Sequence, residues 1–258
     1  MGKSVLDLTG RVAVVFGGTS GLGKSITIGL AKHGAHVVPG GRRADLLDAA
    51  CGEIEALGRR TLRQAVDVTD RSSIIQFRDR VLADLDRIDV LVNAAGTTFR
   101  KPTVDVKDTE WDGLFRVNLT GLLYTCQEFY QPLKDSGAGR IINIASLGSF
   151  LAFHEVAAYC ATKAGVLSLT KSLACEWARD RISVNAIAPG VFPTELNSHL
   201  LRGTKRGEEI LLRTPMGRFG EPHEVVGAAV LLASDGASFI TGHCLAVDGG
   251  YLASGVNS

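Results

Sequence analysis

The sequence has little imbalance of charge. Its 258 residues include 28 Lys and Arg and 27 Asp and Glu, so the formal net charge is +1, and the basic residues are scattered along the chain. Proteins that bind nucleic acid or acidic membranes concentrate positive charge on one face. We therefore expect no nucleic acid and no membrane among the partners of this chain.

Long apolar runs and paired cysteine motifs are also missing. No apolar run reaches the ~20 residues that a membrane-spanning helix needs, and residues 1–7 lack the apolar core of a signal peptide. The cysteines are odd in number and form no C-x-x-C pair, which argues against a complete disulfide framework, and we predict no metal site. These absences favour a soluble, cytoplasmic protein. The cysteines are Cys51, Cys126, Cys160, Cys175 and Cys244.

What the chain does contain predicts one α/β domain over residues 1–258. A hydrophobic content of 45% allows a chain of this length to bury a large core. Apolar, strand-like runs alternate with helical patterns, which predicts a doubly wound, seven-stranded parallel sheet with helices on both faces. The predicted strands lie near 12–16, 36–38, 62–66, 89–93, 140–145, 182–187 and 243–247. The predicted helices span 22–32, 43–57, 70–85, 109–131, 157–179 and 222–234.

The least regular segment spans residues 192–215. Pro193 and Pro215 bracket it, and it carries the charged residues Arg202 and Lys205. It follows the carboxyl end of a predicted strand, which is where ligands bind in open α/β sheets. We predict that it forms a mobile lid over a substrate.

A glycine turn follows the first predicted strand. The apolar run Arg11–Phe16 leads into Gly17-Gly18-Thr19-Ser20-Gly21-Leu22-Gly23 and then into a helical pattern. Glycines at such a turn let backbone amides approach a pyrophosphate at the positive end of the helix. The turn therefore predicts a dinucleotide site, although its spacing differs from the common G-x-G-x-x-G fingerprint.

Tyr159 and Lys163 are four residues apart in a predicted helix, so their side chains lie on the same face, one turn apart. A phenol has a pKa near ~10, and a fixed ammonium nearby stabilises the phenolate and lowers that pKa. The pair can therefore form a proton donor. The alternative is a surface lysine beside a half-buried tyrosine.

Further motifs follow in a fixed order along the chain. They are Asn93-Ala94-Ala95-Gly96 after an apolar strand, Asn118 in a helical stretch, Ser146 thirteen positions before Tyr159, Asn185-Ala186-Ile187-Ala188-Pro189-Gly190, and Val247-Asp248-Gly249-Gly250. Together with the glycine turn, this order resembles that of the short-chain dehydrogenase/reductase family over nearly the whole chain. The resemblance implies a single-domain Rossmann fold.

The resemblance also implies the roles of four catalytic residues. Tyr159 would be the general acid in ketone reduction and the base in alcohol oxidation, and Ser146 would donate a hydrogen bond to the same substrate oxygen. Lys163 would lower the pKa of the tyrosine and bind the nicotinamide ribose. Asn118 would hold a water that links the lysine to solvent. In isolation, Asn118 would more simply be an asparagine bonded to helix backbone.

A cofactor-binding set is implied in the same way. Within it, Asp67 would bond the adenine amine, and it could also cap the following helix with Thr69 and Asp70. The set comprises Gly17, Thr19, Ser20, Gly21, Leu22, Gly23, Arg42, Asp67, Val68, Asn93, Ala94, Gly96, Tyr159, Lys163, Pro189, Gly190, Phe192 and Thr194.

The end of the second predicted strand favours NADP(H), with NAD(H) as the alternative. NAD enzymes place an acidic residue there for the adenosine ribose diol, whereas this chain has Gly41 followed by Arg42. Arg42 could pair with a 2′-phosphate through its charged fork, or Arg42 and Arg43 could be solvated charges at a helix start. Many NADP-using relatives also carry a basic residue just before the second glycine of the turn, where this chain has Ser20.

The resemblance is closest to the branch of gluconate and deoxygluconate dehydrogenases, so the expected substrate is a sugar acid or polyol that changes between secondary alcohol and ketone. A 3-oxoacyl carrier-thioester reductase and a catalytically silent dinucleotide sensor stay open as alternatives. The family also implies a homotetramer. The expected substrate-binding residues are Ser146, Gly148, His154, Tyr159 and Phe192, with Leu147, Phe153, Val191, Pro193 and Glu195 around them.

Overall fold

A computed structural model describes residues 4–193, 201 and 203–256. Within these residues, six parallel strands form one sheet in the order β2-β1-β3-β4-β5-β6. The sheet order differs from the chain order at one place, because after β2 the chain crosses back over β1 and β3 pairs with the other edge of β1. The strands are β1 Val12–Phe16, β2 His36–Gly40, β3 Val90–Asn93, β4 Gly139–Ile144, β5 Ile182–Pro189 and β6 Cys244–Val247.

Helices cover both faces of the sheet, as the alternating pattern predicts. They are α1 Gly21–Lys32, α2 Ala44–Ala56, α3 Arg71–Leu85, α4 Asp108–Phe115, α5 Gly121–Asp135, α6 Ala157–Trp177, α7 Lys205–Arg213 and α8 Val226–Ala233. No helix in the described part of the chain has both the length and the apolar character needed to cross a bilayer.

Alternate residues of β1 enter two separate apolar cores. Phe16 packs on one face of the sheet, where its ring centroid lies 5.5 Å from that of Phe129 on α5. Val15 faces the other way, into the cluster that contains Ile26 of α1. Because both faces are buried, the strand is apolar at every position instead of at every second one.

The prediction of a seventh strand at 62–66 is wrong for the structure as described: this segment has no strand assignment. The backbone N–H of Val37 donates to the carbonyl of Arg60 at 3.2 Å, so the segment starts out beside the free edge of β2. The next N–H on that edge would belong to the residue two positions along the strand. That residue is Pro39, which has no N–H. The proline thus interrupts the ladder that a further edge strand would need.

The predicted helix over 109–131 is divided in the structure. A turn of π-helix at Arg116–Thr120 separates α4 from α5, and Asn118 lies inside it. π-turns inside helices occur frequently at functional sites.

The predicted lid segment contains one described helix, α7, while Thr194, Glu195 and Arg202 lie outside the described residues.

Candidate active site

Two crossover connections bring the predicted catalytic residues to the carboxyl edge of the sheet. Ser146 follows the end of β4 by two residues, and Tyr159 and Lys163 lie in the first two turns of α6. Asn118 approaches from the π-turn between α4 and α5. The carboxyl edge of a parallel sheet is where ligands bind in this architecture.

Ser146 lies close enough to Tyr159 for its hydroxyl to act on the phenol and favour the phenolate. The backbone of Ser146 is extended, and its Oγ also accepts from the N–H of Gly148 at 3.1 Å. With this acceptor function satisfied by the backbone, the hydroxyl proton of Ser146 is available to a phenol oxygen or to a substrate oxygen. Gly148 is buried, and a Cβ there would lie 2.9 Å from the Sγ of Cys160, so the wall behind Ser146 has no room for a side chain.

Lys163 is buried and lacks a carboxylate partner among the described residues. Its Nζ donates to the carbonyl oxygen of Ile144 at 2.7 Å, and 5% of the residue is exposed. Burial lowers the pKa of Lys163 to about 8. A lysine with this pKa gives up and regains its proton near neutral pH more readily than a solvated one.

In this structure Lys163 is not among the groups that shift the pKa of Tyr159, so the expected lowering by Lys163 and a bound nicotinamide stays a prediction. Burial raises the pKa of Tyr159, and the Ser146 hydroxyl only partly offsets that effect. The ammonium lies 5.8 Å from the ring centroid of Tyr159 and is bonded elsewhere. Both side chains are desolvated here, and desolvation favours the neutral form of each, so the pKa of Tyr159 rises and that of Lys163 falls.

The side chain of Asn118 joins two elements at the floor of the site. Its Oδ1 accepts from the N–H of Thr97 and its Nδ2 donates to the carbonyl of Thr97, each at 2.9 Å. The same Nδ2 donates to Thr162 Oγ1 of α6 at 3.2 Å. Asn118 therefore bonds to loop backbone, not to its own helix. A Cβ on Gly96 would lie 3.5 Å from Asn118 Oδ1 and 3.7 Å from Lys163 Nζ.

The glycine turn has the shape needed to hold a pyrophosphate. Gly17 has φ +77°, and a Cβ there would lie 2.6 Å from the backbone N of Ala95, while a Cβ on Gly23 would lie 2.1 Å from the carbonyl oxygen of Gly17. Ser20 is the N-cap of α1, but its side chain makes no capping bond. The first N–H groups of a helix have no intrahelical acceptor, so those of Gly21, Leu22 and Gly23 can point to an anion. The residues present thus fit a dinucleotide.

Polar groups surround the end of β2, where an adenosine would lie. The Arg42 guanidinium is 3.7 Å from the carboxylate of Asp67. Burial opposes the ionisation of Asp67, but hydrogen bonds from Thr69 and the charge of Arg42 outweigh it and lower its pKa. Asp67 does not cap the following helix, because Asp70 does so by accepting from the N–H of Ser72. Val68 contacts the start of α5, since a Cβ on Gly121 would lie 2.8 Å from the carbonyl oxygen of Val68.

Several predicted ligand residues use their side chains for packing. Asn93 is buried and exchanges hydrogen bonds with Asn143 and Thr125, so a contact from it to a cofactor would use its backbone. The sequence analysis did not predict a role for Asn143. A single asparagine within the apolar run of β4 is a signal that could have indicated this buried hydrogen-bond network. Ala94, beside Asn93, lies against Gly23, whose Cβ would be 3.3 Å from the Ala94 methyl.

The remaining predicted site residues differ in exposure. Phe192 is buried against Gly220, where a Cβ would lie 2.4 Å from its ring. His154 is exposed, with its Nδ1 3.6 Å from the carboxylate of Glu155. Pro189 ends β5, and Gly190 gives room to the backbone of Asp248, to which a Cβ would come within 2.7 Å.

The chain is similar to known enzymes over nearly its whole length. Residues 17–252 match the model of the family described as Enoyl-(Acyl carrier protein) reductase. The gluconate 5-dehydrogenase of Gluconobacter oxydans (strain 621H) is 38% identical over 250 residues, which make up 97% of this chain and 98% of that protein. The chain belongs to the short-chain dehydrogenase/reductase family.

Two further relatives lie within this dehydrogenase/reductase family. The 2-dehydro-3-deoxy-D-gluconate 5-dehydrogenase of Escherichia coli (strain K12) is 38% identical over 251 residues, covering 97% of this chain and 98% of that protein. The crystal structure of a gluconate 5-dehydrogenase from Burkholderia cenocepacia J2315, in complex with NADP and tartrate, matches with a TM-score of 0.92 and 36% identity, covering 97% of this chain and 98% of that one. The predicted family and the class of oxidoreductase are confirmed.

Proposed function

We propose that this protein interconverts a secondary alcohol and a ketone on a sugar acid or polyol, with NADP(H) favoured over NAD(H). The observation that carries the proposal is the approach of the Ser146 hydroxyl to the phenol of Tyr159, with the buried ammonium of Lys163 5.8 Å from the same ring. The gluconate and deoxygluconate dehydrogenases among the relatives support a polyhydroxy acid as substrate.

The proton chemistry follows from these three side chains. In reduction, negative charge develops on the carbonyl oxygen, and Ser146 and Tyr159 supply two hydroxyl donors to it. Tyr159 transfers its proton to that oxygen as the alcohol forms, and takes the proton back in the oxidation. Lys163 supplies positive charge on the same side of α6, which favours the phenolate left behind.

The dinucleotide would be held by the glycine turn and by the loops after β3 and β5. The backbone amides of Gly21, Leu22 and Gly23 would bind its pyrophosphate, and the ammonium of Lys163 would bind its nicotinamide ribose. When bound, the nicotinamide supplies the hydride in reduction and accepts it in oxidation. Asn118 would hold the water that relays protons from Lys163, while its side chain keeps the loop at Thr97 in place.

The preference for NADP(H) rests on Gly41 and Arg42. No acidic side chain is present at the end of β2 to accept from a ribose diol. A side chain on Gly41 would also meet the buried Thr19, since a Cβ there would lie 2.8 Å from Thr19 Oγ1. Arg42 is exposed and available to a 2′-phosphate. The NADP-bound relative supports the same choice.

We also propose that α7 covers the substrate. Ile210 of α7 joins the apolar cluster that contains Leu147, next to Ser146, and Tyr251 near the end of the described chain. Arg206 on the same helix donates to the carbonyl of His154 at 3.4 Å. These contacts hold α7 over the loop that carries the predicted substrate residues.

A homotetramer in the cytoplasm completes the proposal. α4 presents a stacked aromatic pair, Trp111 and Phe115, and 40% of Trp111 is exposed in the single chain. Two-fold packing of the helices at 109–131 and 157–179, which include most of α4, against a second copy would cover such apolar surface. The five cysteines form no disulfide, which suits a reducing compartment. Sedimentation at micromolar concentration tests the assembly, and a monomer alone would contradict it.

The decisive test is a screen of oxidation and reduction with both cofactors over sugar acids, polyols and 3-oxoacyl thioesters. We expect gluconate-type substrates to be oxidised with NADP⁺ and the corresponding ketones to be reduced with NADPH. Turnover of 3-oxoacyl thioesters alone would instead favour the alternative reductase, the activity named for a relative from Thermotoga maritima that is 37% identical over 245 residues. Cofactor binding without turnover of any class would favour a dinucleotide sensor.

A further inference from the structure

Tyr251 is a nearly enclosed tyrosine at the carboxyl edge of the sheet. Only 4% of the residue is exposed, and it belongs to the apolar cluster that contains Leu147 and Ile210, against which Val191 packs. Leu147 comes directly after Ser146, and Val191 follows the end of β5 by two residues. The ring of Tyr251 therefore lies among the loops that follow β4 and β5, on the side that α7 covers.

The phenol hydroxyl of Tyr251 has no hydrogen-bond partner among the described residues. The side chain makes ring contacts instead, with Phe153 at 6.2 Å between centroids and with the guanidinium of Arg213. In the described part of the chain, the fully enclosed side-chain polar atoms that lack a partner belong to Thr27 and Arg59. The hydroxyl of Tyr251 is not one of them, so it faces open space. Because a buried phenol usually finds a partner, this hydroxyl is available to a ligand.

Arg213, the last residue of α7, brings a positive charge to the same place. Its guanidinium carbon lies 5.0 Å from the ring centroid of Tyr251, and no ion pair between described residues includes Arg213. Glu209 is one turn earlier on the same helix, at a spacing that allows an ion pair, yet the two side chains are not paired. No carboxylate of the described chain therefore neutralises Arg213. A guanidinium fork next to a phenol O–H suits a carboxylate ligand, which accepts from both.

We propose that Arg213 and Tyr251 together bind the carboxylate of a sugar-acid substrate, with the guanidinium and the phenol hydroxyl as donors. The carboxylate would lie under the end of α7, while the carbon that changes its oxidation state would lie near Ser146. Arg213 and Tyr251 thus select the substrate and have no contact with the reacting atoms. The inference rests on the proposed function, because it names the substrate class of the same site.

The test compares two substrates that differ at one carbon. D-gluconate has the carboxylate, whereas D-sorbitol has the same chain of hydroxyl groups with CH₂OH in its place. The values of kcat and KM for both are measured at saturating cofactor for the wild type, Tyr251→Phe, Arg213→Gln and Arg213→Lys. If the wild type prefers another sugar acid, that acid and its own alditol form the pair. Tyr130→Phe and Arg80→Ala are the matched controls, because each side chain bonds to an acidic residue at the amino edge of the sheet.

We expect Tyr251→Phe and Arg213→Gln each to raise KM for the sugar acid by about tenfold, which is ~1.4 kcal/mol. Their kcat should change little, because the lost contact is the same in the ground state and the transition state. KM for the alditol should change by less than about twofold, since it lacks the group that the two donors bind. Arg213→Lys should recover part of the loss, because it keeps the charge but not the planar fork.

Two further measurements separate binding from turnover and from folding. NADPH cannot accept a hydride, so gluconate forms an unreactive complex with the NADPH-loaded enzyme, and calorimetry on that complex should show the same losses. Thermal unfolding of Tyr251→Phe should match that of the wild type, because the removed hydroxyl has no partner among the described residues. A purely structural role for this hydroxyl would instead lower the unfolding temperature and leave KM unchanged.

Three results would overturn the inference while leaving the proposed function intact. They are an unchanged KM for the sugar acid in either Tyr251→Phe or Arg213→Gln, equal increases of KM for the sugar acid and its alditol, and a wild type that accepts polyols but no sugar acid. Failure of the wild type to turn over any sugar acid or polyol would instead refute the proposed function. The two failures are therefore distinguishable in the same assays.

Discussion

The ammonium of Lys163 lies 5.8 Å from the ring centroid of Tyr159 and donates to the carbonyl oxygen of Ile144 instead of to the phenol. In the ligand-free protein the two side chains therefore share a helix face without being paired. Each is desolvated, so the pKa of the lysine falls and that of the tyrosine rises.

Removal of the Tyr159 hydroxyl should abolish most turnover without loss of cofactor affinity. Tyr159→Phe keeps the ring but removes the transferable proton, and general acid catalysis contributes about 10²–10⁴ in rate. The measurements are kcat in both directions and the Kd for NADPH. Tyr124→Phe on α5 is a matched control, because this ring packs against Arg71 away from the site. Near-normal turnover of Tyr159→Phe would refute its role as the acid.

The burial of Lys163 should appear as a pH dependence of stability. The folded protein releases this proton near pH 8, whereas the unfolded chain keeps it until near the ordinary value of 10.5. Between those values the unfolded state binds more protons, so the contribution of Lys163 to stability rises with pH. The full difference corresponds to about 3 kcal/mol.

Lys163→Met removes this titration. Urea unfolding of the ligand-free proteins from pH 7 to 10 should show the wild type gaining stability relative to the variant as pH increases. The raised pKa of Tyr159 acts only where an ordinary tyrosine ionises, near or above ~pH 10, so it leaves this window unaffected. Parallel curves for the two proteins would show that Lys163 is not desolvated as described.

Asn118 should be required for the loop at Thr97 as much as for proton transfer. Asn118→Ala removes both hydrogen bonds to the backbone of the exposed Thr97, and a typical hydrogen bond contributes a net ~0.5–1.5 kcal/mol to stability. We expect lower unfolding free energy together with lower kcat. Gln131→Ala removes an exposed amide of α5 and serves as the control. A variant with full stability and reduced kcat would separate catalysis from the structural role.

The sequence was sufficient for the fold class, because it depends on local patterns, and the side chains that it indicated as catalytic lie near one another in the structure. Continuous apolar runs such as that of β1 indicate burial on both faces, and Tyr159 and Lys163 share a helix face by their spacing alone. The number of strands depended on something less local. Pro39 interrupts the ladder at the edge of the sheet only because it stands at a position of β2 whose N–H would point away from β1. Which positions point away is known only once the register of β1 and β2 is known.

The site was less predictable where side chains far apart in sequence meet. Asn93 bonds to Asn143, fifty residues later, and so turns its side chain into the core. Arg43 meets Ser20 only because β1 and β2 are neighbours in the sheet. The pKa shifts of Tyr159 and Lys163 could not be predicted from the sequence either. Their spacing shows that the two side chains are near each other, but not how far burial has removed each from water.

The contact of Gly41 with Thr19 predicts that an acidic residue alone will not convert the protein to NADH. In Gly41→Asp the new Cβ would lie 2.8 Å from Thr19 Oγ1, so one of the two residues must move. We expect weaker binding of both dinucleotides by this variant. Adding Thr19→Ala should restore space and shift the preference to NADH, as measured by the two Kd values. Tighter NADH binding by Gly41→Asp alone would contradict the steric argument.

Arg42→Ala should weaken NADPH selectively. A hydrogen bond to a charged group contributes about 1.5–3 kcal/mol, which corresponds to roughly ten- to a hundred-fold in Kd. The loss should lie at the upper end, because the variant also leaves the carboxylate of Asp67 without its cation, near the expected position of the phosphate. NADH should respond little. The preference of the wild type for NADPH should decrease with salt, since 73% of the Arg42 side chain is exposed and its interactions are screened over about 10 Å at 0.1 M. A wild type that prefers NADH, or equal losses of both cofactors in Arg42→Ala, would show that Gly41 and Arg42 do not select the phosphate.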